Sequence, residues 1–132
     1  MGLSTGKTNT TKTQQQQKNS TDLNNLIRSA KGGNVDSCLI LGKYFYEQKE
    51  YQNSICYYEL ALKYRPKDTE ILYNLAFSYA ETPQYDKVRE IIHIIGYKDS
   101  AKYAALYKLW LNKVSDETNR LMGAYKKINI DE

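Results

Sequence analysis

The sequence predicts an all-α fold of antiparallel helix hairpins, and three observations carry that prediction. The first is recurrence. Most of the stretch from Cys38 to Pro66 returns 34 residues later, with Leu41 matched by Leu75, Gly42 by Ala76, Phe45 by Tyr79, Glu47 by Glu81 and Tyr51 by Tyr85. Self-similarity at a fixed period of this length marks a supersecondary unit that buries its apolar face by stacking on a copy of itself. The second is spacing: Leu23, Leu26, Ile27 and Ala30 fall three and four apart, on one face of a helix. The third is punctuation, because Gly32-Gly33, Pro66 and Gly96 stand where helices must end.

Composition bounds the answer. A chain of 132 residues, 41% hydrophobic and 26% charged, suffices for one domain with a modest core and is too short for two of ordinary size. Its aromatic residues are almost all tyrosine, 13 against two Phe and one Trp, which suits side chains buried along one edge and wet at the tip. Cys38 and Cys56 are too few for a disulfide framework and sit in helical patterns where small buried thiols are common, so a reducing, cytoplasmic compartment is expected. The longest apolar run, Ile91 to Gly96, is broken by His93 and falls far short of the roughly 20 residues a membrane span needs. A soluble chain without membrane contact is expected.

Residues 1–20 hold Lys7, Lys12 and Lys18, no acid, and no large apolar side chain beyond Met1 and Leu3, so this basic tail is expected to be disordered. It carries three of the four net positive charges, and the helical domain at 21–132 is therefore nearly neutral. The tail contains Gly2-x-x-x-Gly6-Lys7-Thr8, one residue short between its glycines for a phosphate-binding loop and without a preceding strand. A myristoylation motif wants Ser or Thr where Gly6 stands, and a mitochondrial presequence wants arginine.

A short helix then begins at Ser20 or Thr21, either of which supplies a capping oxygen, and ends at Gly32-Gly33. Two repeats follow, at about 35–68 and 69–100, with Asp68 available to cap the first helix of the second. Helices over 100–128 are expected to close the stack. Ser100 opens one, in which Tyr103, Leu106, Tyr107 and Trp110 cover the last hairpin, and Ser115 opens another carrying Leu121, Met122 and Tyr125. In the second repeat Val88 and Ile95 stand where small residues are expected, which predicts a wider hairpin there.

The pattern Cys38-x-x-Leu41-Gly42-x-x-Phe45, Tyr51, Ser54-x-x-x-Tyr58, Ala61, Pro66 resembles the tetratricopeptide repeat, and Leu72-x-x-Leu75-Ala76-x-x-Tyr79, Tyr85, Val88-x-x-x-Ile92 is similar to a second copy. The resemblance covers about half the chain. It implies a right-handed superhelix of hairpins in which the small side chain at Gly42 or Ala76 admits the second helix of each pair. It also implies a function, protein–protein adaptor or small scaffold subunit. The partner, a peptide or helix of another protein, would lie in the concave groove formed by Leu39, Lys43 and Tyr46 of the first repeat, Tyr73, Asn74 and Phe77 of the second, and Tyr107 and Leu111 beyond them, with Asp36, Glu47, Glu70 and Glu81 around them. Some members hold a chaperone's C-terminal carboxylate with a Lys/Asn clamp. Here Asn74 matches, but Leu39 and Lys43 replace the first-repeat pair and only Lys108 survives of the third. Residues 70–123 also resemble in layout the second half of the mitochondrial fission adaptor. That family ends in a membrane anchor, whereas this sequence reads Asn129-Ile130-Asp131-Glu132 at the same place.

Catalytic and cofactor chemistry finds no support in the residue pattern. His93 is the sole histidine and lies among isoleucines without a nucleophile or carboxylate at an activating spacing, and the two cysteines lack any paired metal-ligand motif. No enzyme activity, cofactor, metal or small-molecule substrate is expected. The rival class is a nucleic-acid-associated subunit, in which Lys7, Lys12, Lys18, Lys126 and Lys127 touch phosphates, although the chain has no recognition motif.

Overall fold

A computed structural model describes the backbone of residues 20–130; apart from Ser20, the tail expected to be disordered lies outside the described residues. Among the described residues the chain is all-α and contains no strand. Its helices are α1 (residues 20–31), α2 (Val35–Glu47), α3 (Tyr51–Tyr64), α4 (Thr69–Glu81), α5 (Tyr85–Ile95) and α6 (Ser100–Ile130), with a 3₁₀ turn at Gly96–Lys98 before the last.

The helix ends follow from local chemistry. Gly33 takes φ +101°, a conformation open to glycine, and Asn34 N–H reaches back to the Ser29 carbonyl at 3.1 Å, which closes α1 in a Schellman-type end. Asn34 then starts α2 by accepting from Ser37 N–H at 3.0 Å. Asp68 caps α4 as its sequence position predicts, accepting from the N–H groups of Glu70 and Ile71 at 3.0 and 3.2 Å. Two cap assignments need correcting. Ser20 and Thr21 already lie inside α1, and α6 is capped by Asp99, which accepts from Lys102 N–H at 3.1 Å, rather than by Ser100.

Packing is sequential. Each helix from α2 onward lies against the next, while α2 also touches α4 and α4 touches α6, so the alternate helices share one side of a stack consistent with a helical-repeat superhelix. α1 joins through Ala30, which is fully buried, and through the hydrogen bond from Ser37 Oγ to Ser29 Oγ at 2.9 Å. The period of the sequence is also the period of burial. Cys38 and Leu72, Leu41 and Leu75, Ser54 and Val88, Tyr58 and Ile92, Ala61 and Ile95 are all buried, each pair 34 residues apart. A third copy begins at Leu106, which continues Cys38 and Leu72 and is fully buried, and at Leu109, which continues Leu41 and Leu75 and packs half-buried against the core.

Gly42 shows what the small residue achieves. A Cβ there would lie 2.7 Å from Cε1 and Cζ of Tyr58, so the aromatic ring occupies the volume any side chain would need. The α4–α5 pair meets over a shorter stretch than α2–α3, because α5 has 11 residues against 14 in α3.

Two further expectations are corrected. Ser115 opens no second helix: α6 runs unbroken for 31 residues, because nothing near Ser115 forces a turn and Thr118 Oγ1 bonds back to the Val114 carbonyl at 2.9 Å within the helix. Cys56 is exposed on α3, whereas Cys38 is buried and its thiol is pushed up by desolvation.

Candidate functional site

The facing sides of α2 and α4 carry apolar and aromatic side chains, Leu39, Tyr46 and Phe77, among polar ones. Between them lies a cavity of about 530 Å³, lined by Leu39, Lys43, Tyr46 and Glu47 from α2, Glu70, Asn74 and Phe77 from α4, and Tyr58 from α3. No residue of α1 or α6 is among the lining, so neither terminal helix fills it. Its floor is apolar and aromatic, and its rim carries one cation, Lys43, with two carboxylates, Glu47 and Glu70.

Helical spacing explains the grouping. Leu39, Lys43, Tyr46 and Glu47 follow at intervals of four, three and one, and Glu70, Asn74 and Phe77 at four and three, which keeps each set on a single face. Tyr46 packs edge-on against Tyr51 at 5.4 Å, and its phenol is pushed up by burial, with Glu81 and Tyr51 adding to the effect. Tyr58 reaches the cavity from behind. Its phenol is pushed up to about 12, first by burial and then by the nearby charges of Glu47 and Tyr46. The groove thus presents neutral phenols at any physiological pH, beside the Lys43 ammonium, the Glu47 carboxylate and a Glu70 carboxylate that is paired with Lys102.

Five of the eight positions expected on the groove meet there: Leu39, Lys43, Tyr46, Asn74 and Phe77. The other three lie elsewhere. Tyr73 turns its ring against Phe77, centroid to centroid 5.0 Å, and lies under the Lys102 ammonium at 5.8 Å. Lys102 is itself held by Asp99 at 2.8 Å and Glu70 at 3.2 Å, a three-charge cluster that fixes the start of α6 against α4. Tyr107 and Leu111 are on α6, outside the cavity. Tyr107 stacks with Tyr103 at 6.1 Å and tilts against Trp110 at 6.0 Å, and both Tyr107 and Leu111 remain 44% exposed. The sequence pattern misses Tyr58 as a lining residue. Its signal was present in the pairing of an aromatic residue of α3 with the one glycine of α2.

Among the described residues no three His, Cys, Asp or Glu side chains gather in metal-binding reach, and no helix is long and apolar enough to cross a membrane. Fold and site together define an all-α stack of helix hairpins with an open, mainly apolar cleft between its inner helices. No protein-family model, curated protein or solved structure matches the chain.

Proposed function

We propose that this chain is a tetratricopeptide-like adaptor or scaffold subunit that holds an apolar-faced peptide or helix of another protein between α2 and α4. The observation that carries the reading is the shape and lining of the cleft. It offers a volume within the range of ligand sites, an aliphatic and aromatic floor, and a sparse charged rim that fixes orientation rather than supplying affinity. An amphipathic helix would lay its i, i+3 and i+4 side chains on Leu39, Tyr46 and Phe77, while Asn74 and Lys43 meet its polar edge. The rim carries no cluster of cations that would hold an acidic guest or a phosphate backbone: Lys43 shares it with Glu47, and the nearby Lys102 is held by Glu70 and Asp99.

Selection of displayed peptides on the full chain, followed by affinity measurement of the enriched sequences, tests the proposal. Enriched peptides should carry paired apolar residues, and Phe77→Ala should weaken them at least tenfold, the loss of one buried anchor of about 1.4 kcal/mol or more. Peptides whose affinity survives both Phe77→Ala and Leu39→Ala would remove the cleft from consideration. Binding to RNA that disappears between low and physiological salt would favour the nucleic-acid alternative.

A further inference from the structure

The C-terminal half of α6 departs from the body. The ion pair between Lys113 and Glu81, at 3.5 Å, is the last among the described residues that ties this helix to another element. Every residue from Thr118 to Ile128 is exposed, including Leu121, Tyr125 and Ile128 at 53%, 60% and 64%. The projecting segment has weak reasons to be helical by itself, since Gly123 has no packing neighbour and costs roughly 1 kcal/mol relative to alanine. A freestanding helical segment this short is marginal in water, so its order calls for a surface that covers it.

The side chains along one face of this segment are regularly placed, all exposed but the half-buried Val114. Leu111, Val114, Thr118, Leu121, Tyr125 and Ile128 alternate steps of three and four, the heptad seam of a coiled coil, and Met122 widens it. That period specifies another helix as the covering element, because only a helix presents holes at the same repeat. Residues 1–19 cannot supply it, with Met1 and Leu3 as their only large apolar side chains.

We infer that the covering element is α6 of a second copy, packed antiparallel along this seam. Set antiparallel, the seam complements itself. Leu111 meets the mate's Ile128, Val114 its Tyr125 and Thr118 its Leu121, so each layer matches a larger side chain with a smaller or equal one. Set parallel, Tyr125 would meet Tyr125 and Thr118 would meet Thr118. The area also suffices. A strip about 26 Å long and about 10 Å wide on each copy, ridged by side chains, removes roughly 1,000 Å² from water in total, the scale at which specific interfaces become stable. This interface is separate from the cleft between α2 and α4 and does not depend on what that cleft holds.

Sedimentation equilibrium of the full chain decides the matter. At concentrations up to about 100 µM, where even micromolar dimers assemble, the expected mass is twice 15.3 kDa. Leu121→Asp combined with Tyr125→Asp should weaken the dimer at least a hundredfold, and because both positions are exposed in the single chain, the thermal transition of the body should stay in place. A wild-type chain that remains monomeric throughout, or a doubly substituted chain that dimerises undiminished, overturns the inference. Orientation is read by oxidation in a Cys56→Ser background, which removes the exposed thiol. Val114→Cys mixed with Tyr125→Cys should cross-link. Val114→Cys alone should not, since its mate lies about 16 Å away along the axis, and cross-linking of that variant with itself would overturn the antiparallel arrangement.

Discussion

Position 54 holds a serine and position 88 a valine, at the same place in successive hairpins and both fully buried. Around Ser54 the first hairpin is held by polar contacts and an aromatic ring: its hydroxyl donates to the Gly42 carbonyl at 2.7 Å and lies 2.9 Å from Ser78 Oγ, and Tyr58 fills the space left by Gly42. At the positions matching Ser54, Tyr58 and Ala61 the second hairpin carries the buried aliphatic side chains Val88, Ile92 and Ile95, with Ala76 in the place of Gly42. The same burial at matched positions is therefore reached by two chemistries. A large ring demands a glycine and tolerates nothing else, whereas a smaller aliphatic side chain leaves room for a methyl group.

That contrast can be broken by exchanging parts. Gly42→Leu should cost about 3 kcal/mol, since even its first carbon has no space beside Tyr58; chemical denaturation measures it. Gly42→Ala should cost about 2 kcal/mol alone, but Gly42→Ala with Tyr58→Ile, which copies the second hairpin, should recover most of that loss relative to Tyr58→Ile alone. Absence of coupling would mean the two positions do not share one volume.

Val88→Ser should cost about 2 kcal/mol, because it removes two methyl groups from a sealed site and gives the hydroxyl no partner but its own helix. Equal stability of this variant and the wild type would show that the aliphatic hairpin accepts the polar solution.

Alkali should separate the pair next. The folded state holds the Tyr58 proton up to about 12 while the unfolded chain releases it near 10, so stability is complete below pH 10 and falls as pH rises through that window. By pH 11 the loss relative to Tyr58→Phe should reach roughly 1–2 kcal/mol, read from urea midpoints at pH 8 and pH 11. Ile92 occupies the equivalent place in the second hairpin and has nothing to titrate. The smallest effect is expected from Ser54→Ala, about 1 kcal/mol for its hydrogen bonds.

The hairpins were legible in the sequence because their determinants are local or periodic: Leu41 and Leu75 recur, Gly33 stops a helix and Asp68 starts one. Most of the cleft was legible through the tetratricopeptide resemblance, and helical spacing explains why Leu39, Lys43 and Tyr46 share one face. What escaped depends on how helices lean on one another. Tyr73 follows the same spacing as Asn74 and Phe77, yet its ring rests under Lys102 because the Asp99 and Glu70 carboxylates draw that ammonium across it. Ser115 followed by Asp116 and Glu117 has the composition of a helix start, but a start requires a preceding stop, and Asn112, Lys113 and Val114 supply none.

Each serine hydroxyl has a single proton, which gives the Ser54–Ser78 contact a direction. Ser54 hands its proton to the Gly42 carbonyl, so Ser78 must hand its own to Ser54, and three helices are knotted at one dry point. Peeling α2 away would strand the O–H donor of the same α3 hydroxyl whose oxygen accepts from α4. The consequence is shared fate under thermal fluctuation: amides on α2, α3 and α4 near this knot should exchange with deuterium at one common slow rate, while those beyond Thr118 on α6 of an unassembled chain exchange quickly.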